Sequence, residues 1–324
     1  MIISKTPLRI SFVGGGSDFP VFYREFGGAV LSASINKYIY VNVNKKFDEG
    51  IRVAYSENEE VGAINQIKHP IVRETLKYLG ISGGIEITTI ADVPSNGTGL
   101  GSSSTFTVGL LNALYSYQAL AASKEMLAAR SCDVEIRLCS SPIGKQDQYA
   151  AAFGGFNLIK FNKDETVSVR PIVLSRNVIE ILQKNILVFY TGKTRNANEI
   201  LAKQSNNLSD KKIRSIIKMV DLVQVLADDL AKNDLSNVGR ILHKSWLLKK
   251  GLSSKISDVE IDDWYKLALD AGASGGKILG AGAGGFLLIY AEEQYHSKIR
   301  NVLGMLKEMK VNFEFCGTQI VYTG

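Results

Sequence analysis

The sequence is poor in cysteine and histidine, and this scarcity argues against disulfide bonds and against a zinc site. Three cysteines and three histidines occur among 324 residues. Cys132, Cys139 and Cys316 form no C-x-x-C pair, and the histidines stand far apart in the chain. The residues therefore support neither a disulfide framework nor a zinc site.

Long apolar runs and a strong excess of one charge are also lacking. No stretch of about 20 apolar residues and no early signal-type segment occurs, so we expect a cytoplasmic protein with no membrane partner. The net charge is +6, and no basic tract is interleaved with aromatic residues. This pattern argues against a nucleic-acid partner and weakly favours anionic small molecules. The lysine-rich stretch 244–255 is typical of a solvated helix face.

The length of the chain exceeds that of a single hydrophobic core, so we expect two domains, 1–170 and 171–324. Alternating apolar residues predict strands at 2–12, 28–35, 38–43, 51–55, 84–90, 156–161, 185–190 and 286–290, and a last strand pair within 312–322. Helical periodicity predicts a short helix at 66–80, interrupted near Pro70, and helices at 106–117, 123–140, 196–207, 211–232, 235–250, 258–271 and 293–309. Whether the chain forms a homodimer stays open.

A glycine-rich turn between a predicted strand and a predicted helix is typical of a phosphate site. Glycines at alternate positions let the backbone approach a ligand, and the helix start offers free N–H groups to an anion. The usual P-loop lysine is absent, and a tight turn before a serine-capped helix is the alternative. The nucleotide-binding candidates are Pro94, Asn96, Gly97, Gly99, Leu100, Gly101, Ser102, Ser103 and Ser104.

The first strand of the chain leads into a second candidate loop. Residues 2–12 read as an edge strand that carries Lys5 and Arg9, and a triple glycine with Asp18 follows it. Polar side chains at a strand end suit a sugar hydroxyl or a phosphate. The alternative is a solvated edge with an Asx-type turn.

Two further carboxylates stand out in the first half. Glu135 shares a small, apolar helix face, where a carboxylate is costly unless it meets a cation or a hydrogen-bond donor. The alternative is a rim glutamate that reaches solvent. Asp147 follows a flexible turn among uncharged residues, which suits a catalytic carboxylate. The alternative, an aspartate at a helix N-terminus that is stabilised by the helix dipole, explains the position equally well.

The second half holds a dibasic turn and a second glycine-rich segment. Lys193 and Arg195 precede a predicted helix, where their charges add to the attraction of its N-terminus for an anion, although a solvated loop explains them as well. Gly280, Gly282 and Gly285 match G-x-G-x-x-G. This fingerprint must open a helix, whereas here it runs into an apolar strand, so we exclude a dinucleotide site.

Three motifs, in this order, resemble the GHMP kinases, the family of galactokinases, homoserine kinases, mevalonate kinases and phosphomevalonate kinases. They are P-L-R-I-S-F-V-G-G-G-S-D at 7–18, the turn at 94–105, and the segment 277–286. The second departs from the family form P-x-x-x-G-L-G-S-S-A only at Ser104. The resemblance spans essentially the whole chain and implies an α+β fold of two domains. The N-terminal α/β domain is ribosomal-protein-S5-domain-2-like, the C-terminal one is ferredoxin-like, and ATP lies between them.

The resemblance also implies roles for single residues. Asp147 precedes Gly154 by six intervening residues, as the catalytic aspartate of the mevalonate kinase-like branch does. Glu135 falls at or next to the family's Mg²⁺ glutamate, with a loop one residue longer, and Ser103 is the second metal candidate. Either Arg9 or Lys5 keeps Asp147 ionised. The substrate-binding candidates are Gly15, Gly16, Ser17, Asp18, Lys193, Arg195, Gly282 and Gly284.

Within the family, P-I-G-K-Q-D-Q-Y-A-A-A-F-G-G at 142–155 and T-G-x-x-R at 191–195 resemble sugar-phosphate kinases. This implies that ATP, with Mg²⁺, phosphorylates the anomeric C1 hydroxyl of D-glycero-D-manno-heptose 7-phosphate. The product is the 1,7-bisphosphate used for GDP-heptose and surface glycans. Acceptors of the fucose, galactose or mevalonate type are alternatives. A noncatalytic sensor of a sugar or nucleotide is the alternative from another class.

Overall fold

The structure is a computed structural model that describes residues 1–94, 97–193 and 209–324. Its α-helices are α1 (Pro20–Phe26), α2 (Pro70–Tyr78), α3 (Ser102–Tyr117), α4 (Lys124–Cys132), α5 (Gln146–Phe153), α6 (Arg176–Lys184), α7 (Asp210–Ala231), α8 (Val238–Lys250), α9 (Val259–Asp270) and α10 (His296–Val302). Its strands are β1 (Ile2–Val13), β2 (Gly28–Lys45), β3 (Ile51–Ala54), β4 (Asn58–Val61), β5 (Ile85–Ala91), β6 (Phe156–Phe161), β7 (Val167–Pro171), β8 (Ile186–Tyr190), β9 (Gly275–Ile278), β10 (Phe286–Tyr290), β11 (Lys307–Glu308) and β12 (Gln319–Thr323).

Eight strands form the first sheet, in the order β12-β1-β2-β5-β3-β4, with β6 paired to β2 and β7 paired to β6. The prediction that β1 is an edge strand is wrong for its first half, because Ile2 to Lys5 pair with β12 on one side and with β2 on the other. Beyond that pairing, the N–H of Arg9 donates to the carbonyl of Leu100 at 3.1 Å. The second half of β1 therefore borders the glycine turn.

Four strands form the second sheet, in the order β11-β8-β10-β9. Its core includes Trp246 of α8 and Trp264 of α9, packed with Phe189 and Leu287 from the sheet. The helix α7 reaches across to the first sheet, where Val223 joins the core that contains the apolar residues of β1 and β2. This packing brings the ends of β1 and β9 together.

The C-terminal strand β12 pairs with β1, so the chain returns to the first sheet after completing the second. The division at residue 170 stays a prediction, and it falls near the end of β7, after which the next strand, β8, belongs to the second sheet. Among the residues that the structure describes, no helix is long and apolar enough to cross a bilayer.

The two strands predicted at 28–35 and 38–43 form one strand, β2. A bulge explains the apparent break, because Pro7 pairs with Tyr38 while Leu8 pairs with Ile35. The backbone at the bulge is held from outside, since the N–H of Asn36 donates to the carbonyl of Asn312 at 2.9 Å. The segment from 312 therefore contacts β2, and the predicted strand pair within 312–322 is wrong except for β12.

Two predicted helices are interrupted. The helix predicted at 293–309 is a 3-10 turn, Glu293–Tyr295, followed by α10, and the chain then pairs Lys307 and Glu308 with β8. Tertiary strand pairing overrides the local helical pattern there. The helix predicted at 66–80 begins at Pro70, whose ring suits the first helical position. The helix predicted at 196–207 lies outside the described residues.

The helix predicted at 123–140 changes type midway. Ser123 caps α4 as predicted, accepting a hydrogen bond from the N–H of Met126 at 3.1 Å. The chain then continues as a π-helix, Asp133–Leu138, in which the N–H of Cys139 donates to the carbonyl of Val134. Such turns are rare and occur often at functional sites. Glu135 lies on this one.

Candidate active site

The glycine turn leads directly into α3, and the N-cap residue of this helix has no capping side chain. Gly101 is the residue before the helix, with φ of 80°, and as a glycine it offers no side chain to cap the first N–H groups of α3. Because a helix start leaves several donors unpaired and is positively polarised, this end of α3 can hold an anion. Thr98 and Ser102 add hydroxyl groups that lie 3.2 Å apart.

Arg9 joins the end of β1 to the start of α5. Its Nε and Nη2 donate to Asp147 Oδ1 and Oδ2 at 2.8 and 2.6 Å, while Nη1 donates to the carbonyl of Gly99 at 2.7 Å. The arginine side chain is 3% exposed, and that of the aspartate 23%. A bidentate pair of this kind fixes the plane of the carboxylate. One guanidinium therefore positions both Asp147 and the glycine turn.

Gly101 lies against this ion pair. A Cβ at residue 101 would be 3.3 Å from both Arg9 Cζ and Asp147 Oδ2. The positive φ and the close contact together require glycine at this position. The carboxylate of Asp147 consequently lies within reach of a group held by the N-terminus of α3. Its placement in the first turn of α5 agrees with the alternative explanation from the helix dipole as well, so position alone does not separate the two.

Glu135 is buried beside the same helix start. It is 1% exposed, and it accepts hydrogen bonds from Ser103 Oγ and from Gln148 Nε2, each at 2.7 Å. The alternative of a solvated rim glutamate is therefore wrong. Burial raises the pKa of Glu135 to about 7, although the hydrogen bonds from Ser103, Ser104 and Gln148 oppose the rise.

The oxygen atoms of Ser103 and Glu135 suit Mg²⁺. Within the described ranges, no group of three or more His, Cys, Asp or Glu residues is arranged to hold a metal ion. Mg²⁺ does not need such a group, because it keeps several waters and binds through one or two carboxylates together with substrate phosphates. A buried carboxylate adjoining a hydroxyl, at an anion-binding helix start, meets that requirement.

The loop after β1 adds a third carboxylate, that of Asp18, to the same region. Asp18 is 2% exposed, and it accepts hydrogen bonds from the N–H groups of Gly16 at 3.1 Å and Gln146 at 3.3 Å. Burial raises the pKa of Asp18, and the charge of Asp147 raises it further. The solvated-edge alternative is thus wrong for Asp18. Ser17 is buried too, and its hydroxyl donates to the carbonyl groups of Gly14 and Ala29, so it shapes the loop.

The second glycine loop packs directly on the first. A Cβ at Gly280 would lie 2.3 Å from the Cα of Gly99, and a Cβ at Gly285 would lie 2.3 Å from the carbonyl oxygen of Thr98. Gly282 faces Ile256 and Gly284 faces Lys193 at comparably short distances. The glycines of residues 280–285 therefore serve close backbone contact between the two halves of the site, and the strand β10 follows them as predicted.

Two buried lysines escaped sequence reasoning. Lys277 Nζ donates to the carbonyl groups of Ser11 and Phe12 at 2.8 and 3.1 Å. Lys249 is 7% exposed, and its Nζ donates to the carbonyl of Gly280. The prediction of a solvated face for 244–255 is wrong at Lys249. Its spacing of three and seven residues from Trp246 and Leu242, both buried, was the signal that could have revealed it.

Lys5 and Lys193 lie apart from Asp147. Lys5 is four residues before Arg9, about 13 Å along the strand, and its Nζ lies 3.9 Å from the centre of the Tyr38 ring. Lys5 is therefore not the partner of Asp147. Lys193 Nζ pairs with Asp258 at 2.8 Å and with Glu260 at 2.6 Å. Of the other candidates, Pro94 is exposed, and Asn96 and Arg195 lie outside the described residues.

Family comparisons agree with the three motifs. The model of the GHMP kinases N terminal domain matches residues 65–155, and that of the GHMP kinases C terminal domain matches residues 226–309. The chain is 33% identical over 309 residues to a D-glycero-alpha-D-manno-heptose 7-phosphate kinase of Campylobacter jejuni, covering 90% of this chain and 89% of that protein. A galactokinase of Pyrococcus furiosus is 26% identical, with 97% and 95% covered.

Solved structures share the whole architecture. A D-glycero-D-manno-heptose 1-phosphate kinase from Bacteroides thetaiotaomicron has a TM-score of 0.83 at 25% identity, with 100% of both chains covered. The galactokinase of Lactococcus lactis has a TM-score of 0.76 at 18% identity, with 98% and 94% covered, which shows the fold alone.

The chain belongs to the GHMP kinase family. It is an ATP-dependent kinase of that family, similar to its sugar-phosphate kinases, and the predicted two-domain α+β fold is confirmed.

Proposed function

We propose that this protein transfers the γ-phosphoryl group of ATP to the anomeric C1 hydroxyl of D-glycero-D-manno-heptose 7-phosphate, giving the 1,7-bisphosphate. The observation that carries the proposal is the Arg9–Asp147 pair, which lies 3.3 Å from the ideal Cβ position of Gly101 at the start of α3. This arrangement supports a phosphate held by the helix start and an acceptor hydroxyl held by the carboxylate.

Asp147 is the acceptor's base in this proposal. The acceptor oxygen forms a bond to the γ-phosphorus, the bond from that phosphorus to the β-bridging oxygen breaks, ADP leaves, and the hydroxyl proton passes to Asp147. The bidentate contact with Arg9 fixes the carboxylate in one orientation. Because phosphoryl transfer proceeds through a loose transition state, positioning and charge contribute more than base strength.

The nucleotide phosphates are held by the N–H groups of Gly97 to Ser104 in this proposal, with Ser103 and Glu135 as the Mg²⁺ ligands. Mg²⁺ bound there neutralises charge that spreads over the phosphate oxygens. The buried position of Glu135 and its 2.7 Å contact with Ser103 support this assignment. Glu135 has two neutral hydrogen-bond donors, and a buried carboxylate without a cation is costly.

The acceptor is assigned to the loop that contains Gly15, Gly16, Ser17 and Asp18. The buried Asp18 carboxylate offers an acceptor to sugar hydroxyls. The names of similar proteins favour a heptose phosphate, one called a 7-phosphate kinase and one a 1-phosphate kinase. The two names do not specify which hydroxyl receives the phosphoryl group. Transfer to the C1 hydroxyl is therefore part of our proposal. Cytoplasmic location belongs to the proposal in the same way.

The proposal is tested with purified protein, ATP, Mg²⁺ and a panel of acceptors. We expect ADP release with D-glycero-D-manno-heptose 7-phosphate, and weaker or no release with free heptose, fucose, galactose and mevalonate. Phosphorus NMR of the product should show a second phosphate coupled to the anomeric proton. A phosphate on another carbon would refute the position of transfer.

Two results would replace the proposal. Faster turnover of galactose or fucose than of the heptose phosphate would mean that the chain is a different sugar kinase of the family. Tight binding of sugar and nucleotide, with no transfer to any acceptor in the panel, would favour the noncatalytic sensor.

A further inference from the structure

Lys249 is a buried cation that is incompletely paired. It lies on α8, it is 7% exposed, and its Nζ donates to the carbonyl of Gly280. An ammonium group carries three N–H donors. In the described part of the chain, no carboxylate lies within ion-pair distance of this Nζ and no second acceptor is hydrogen-bonded to it.

The other lysines of the region already have hydrogen-bond or ion-pair partners. Lys277 donates to two carbonyl groups, Lys193 pairs with two carboxylates, and Lys145 pairs with Glu165 at 2.7 Å. Arg9 uses three of its donors on Asp147 and Gly99. A buried charge is costly unless paired and hydrogen-bonded. Lys249 keeps two donors without an acceptor among the described residues, and this arrangement suits a bound ligand.

The position of Lys249 indicates which ligand. A Cβ at Gly15, in the loop assigned to the acceptor, would lie 3.8 Å from Lys249 Nζ. The Gly280 carbonyl that holds this Nζ belongs to the residue packed on Gly99 of the nucleotide turn. The lysine thus stands between the two turns, near the carboxylates of Asp18 and Asp147. The group that moves between those turns during the reaction is the transferred phosphoryl group.

We propose that Lys249 is a further catalytic residue, whose ammonium group binds the oxygens of the phosphoryl group as it passes from nucleotide to acceptor. The inference rests on the proposed nucleotide site at the glycine turn. Lys249 gives up no proton in the step, since the acceptor proton goes to Asp147. It offsets the charge on the transferred group.

The test compares a nucleotide that has a third phosphate with one that lacks it. The affinities of a non-hydrolysable ATP analogue and of ADP, both with Mg²⁺ and without acceptor, are measured by calorimetry for the wild type and Lys249→Met. Loss of a charge-assisted hydrogen bond should weaken the analogue by about 10-fold to 150-fold and leave ADP affinity within about 3-fold. Lys244→Met, on an exposed position of the same helix, is the matched control and should change neither affinity.

The failures are distinguishable. If wild-type protein binds neither nucleotide, the proposed function is wrong. If Lys249→Met keeps the full preference for the analogue over ADP, the inference is wrong while the proposed function stands. A variant with unchanged nucleotide affinities and a raised KM for the acceptor phosphate alone would assign Lys249 to the acceptor, and would also overturn the inference.

A wild-type measurement does not depend on any variant. Burial, with a smaller contribution from the charge of Arg9, lowers the pKa of Lys249 to about 8, although the charges of Asp18 and Asp147 oppose the shift. Lys277 is a further titratable neighbour, and burial lowers its own pKa well below the usual value. Lys249 is charged below its pKa and loses its proton above it. The preference for the analogue over ADP should therefore fall between about pH 7 and about pH 10. A constant preference over that range would contradict the inference.

Discussion

Two ion-pair clusters of this molecule use the same chemistry in different surroundings. In the first cluster, Arg9 and Asp147 have side chains that are 3% and 23% exposed and form a bidentate contact. In the second, Lys193 meets Asp258 and Glu260, whose side chains are 28% and 59% exposed. The first joins one cation to one carboxylate, whereas the second places one cation between two carboxylates.

The difference shows which cluster suits phosphoryl transfer. A buried, bidentate pair at the start of a helix holds one geometry, while the half-buried Lys193 lies between two carboxylates that already offset its charge, so it attracts a further anion weakly. The prediction that Lys193 binds the substrate phosphate stays untested, and its two carboxylate partners argue against it. Substitutions in the first cluster should therefore change turnover and the free energy of unfolding much more than substitutions in the second.

The largest effect should come from Asp147→Asn. The amide keeps the shape of the side chain but cannot take the acceptor proton, so we expect kcat to fall by about 10²-fold to 10⁴-fold. Affinity for ADP should stay within about 3-fold of wild type, because the nucleotide turn is untouched. Steady-state kinetics and calorimetry measure the two effects. Near-normal turnover would remove Asp147 from the mechanism.

The next effect concerns stability. Arg9→Met leaves the Asp147 carboxylate and the Gly99 carbonyl without their donors, and should lower the free energy of unfolding by about 3 kcal/mol. Lys193→Met, the matching change in the more exposed second cluster, should lower it by about 1 kcal/mol or less. Urea unfolding of both variants provides the comparison. Equal losses would mean that burial does not separate the clusters.

Substitutions at Gly101 and Gly80 distinguish the effect of backbone strain from the effect of contact with the site. Gly101 and Gly80 both have positive φ, but a Cβ at Gly101 meets Arg9 and Asp147, whereas nothing lies within 4 Å of a Cβ at Gly80. Gly101→Val should weaken ADP binding by about 5-fold to 150-fold, from strain of about 1–3 kcal/mol at the phosphate turn. Gly80→Val should be strained without altering ADP affinity. Native ADP affinity in a folded Gly101→Val protein would move the phosphate site elsewhere.

The smallest effect should be that of Lys193→Met on substrate preference. Because two carboxylates already neutralise the lysine, we expect kcat/KM for the heptose 7-phosphate, relative to the free heptose, to change by less than about 3-fold. A selective loss of about 10-fold or more for the phosphorylated sugar would restore Lys193 as its phosphate ligand.

Local sequence signals predicted the parts of the site that depend on neighbouring residues. The turn between β5 and α3, the cap at Ser123 and the strand after the second glycine loop each follow from propensities within about ten residues. The three motifs, through the resemblance to the GHMP kinases, added the expected roles of Asp147, Glu135 and Ser103. The pairing of Arg9 with Asp147 joins residues 138 positions apart, so the sequence left Lys5 open as the partner.

Other features depend on tertiary packing that no local pattern records. The π-helix that carries Glu135 adds one residue to a turn whose apolar spacing reads as α-helical. The return of β12 to the first sheet needs a partner strand at the other end of the chain. Lys249 was hidden in a lysine-rich stretch, because charge runs at helix spacing are usually solvated.

The central claim is that Arg9 and Asp147 act as one catalytic unit at the glycine turn. A double-mutant cycle of kcat with Arg9→Met, Asp147→Asn and the double variant tests it, with folding checked by ADP binding. If the arginine works through the aspartate, the double variant should be no slower than Asp147→Asn alone, within about 3-fold. Losses that multiply would show that the two residues act independently, and would contradict the account.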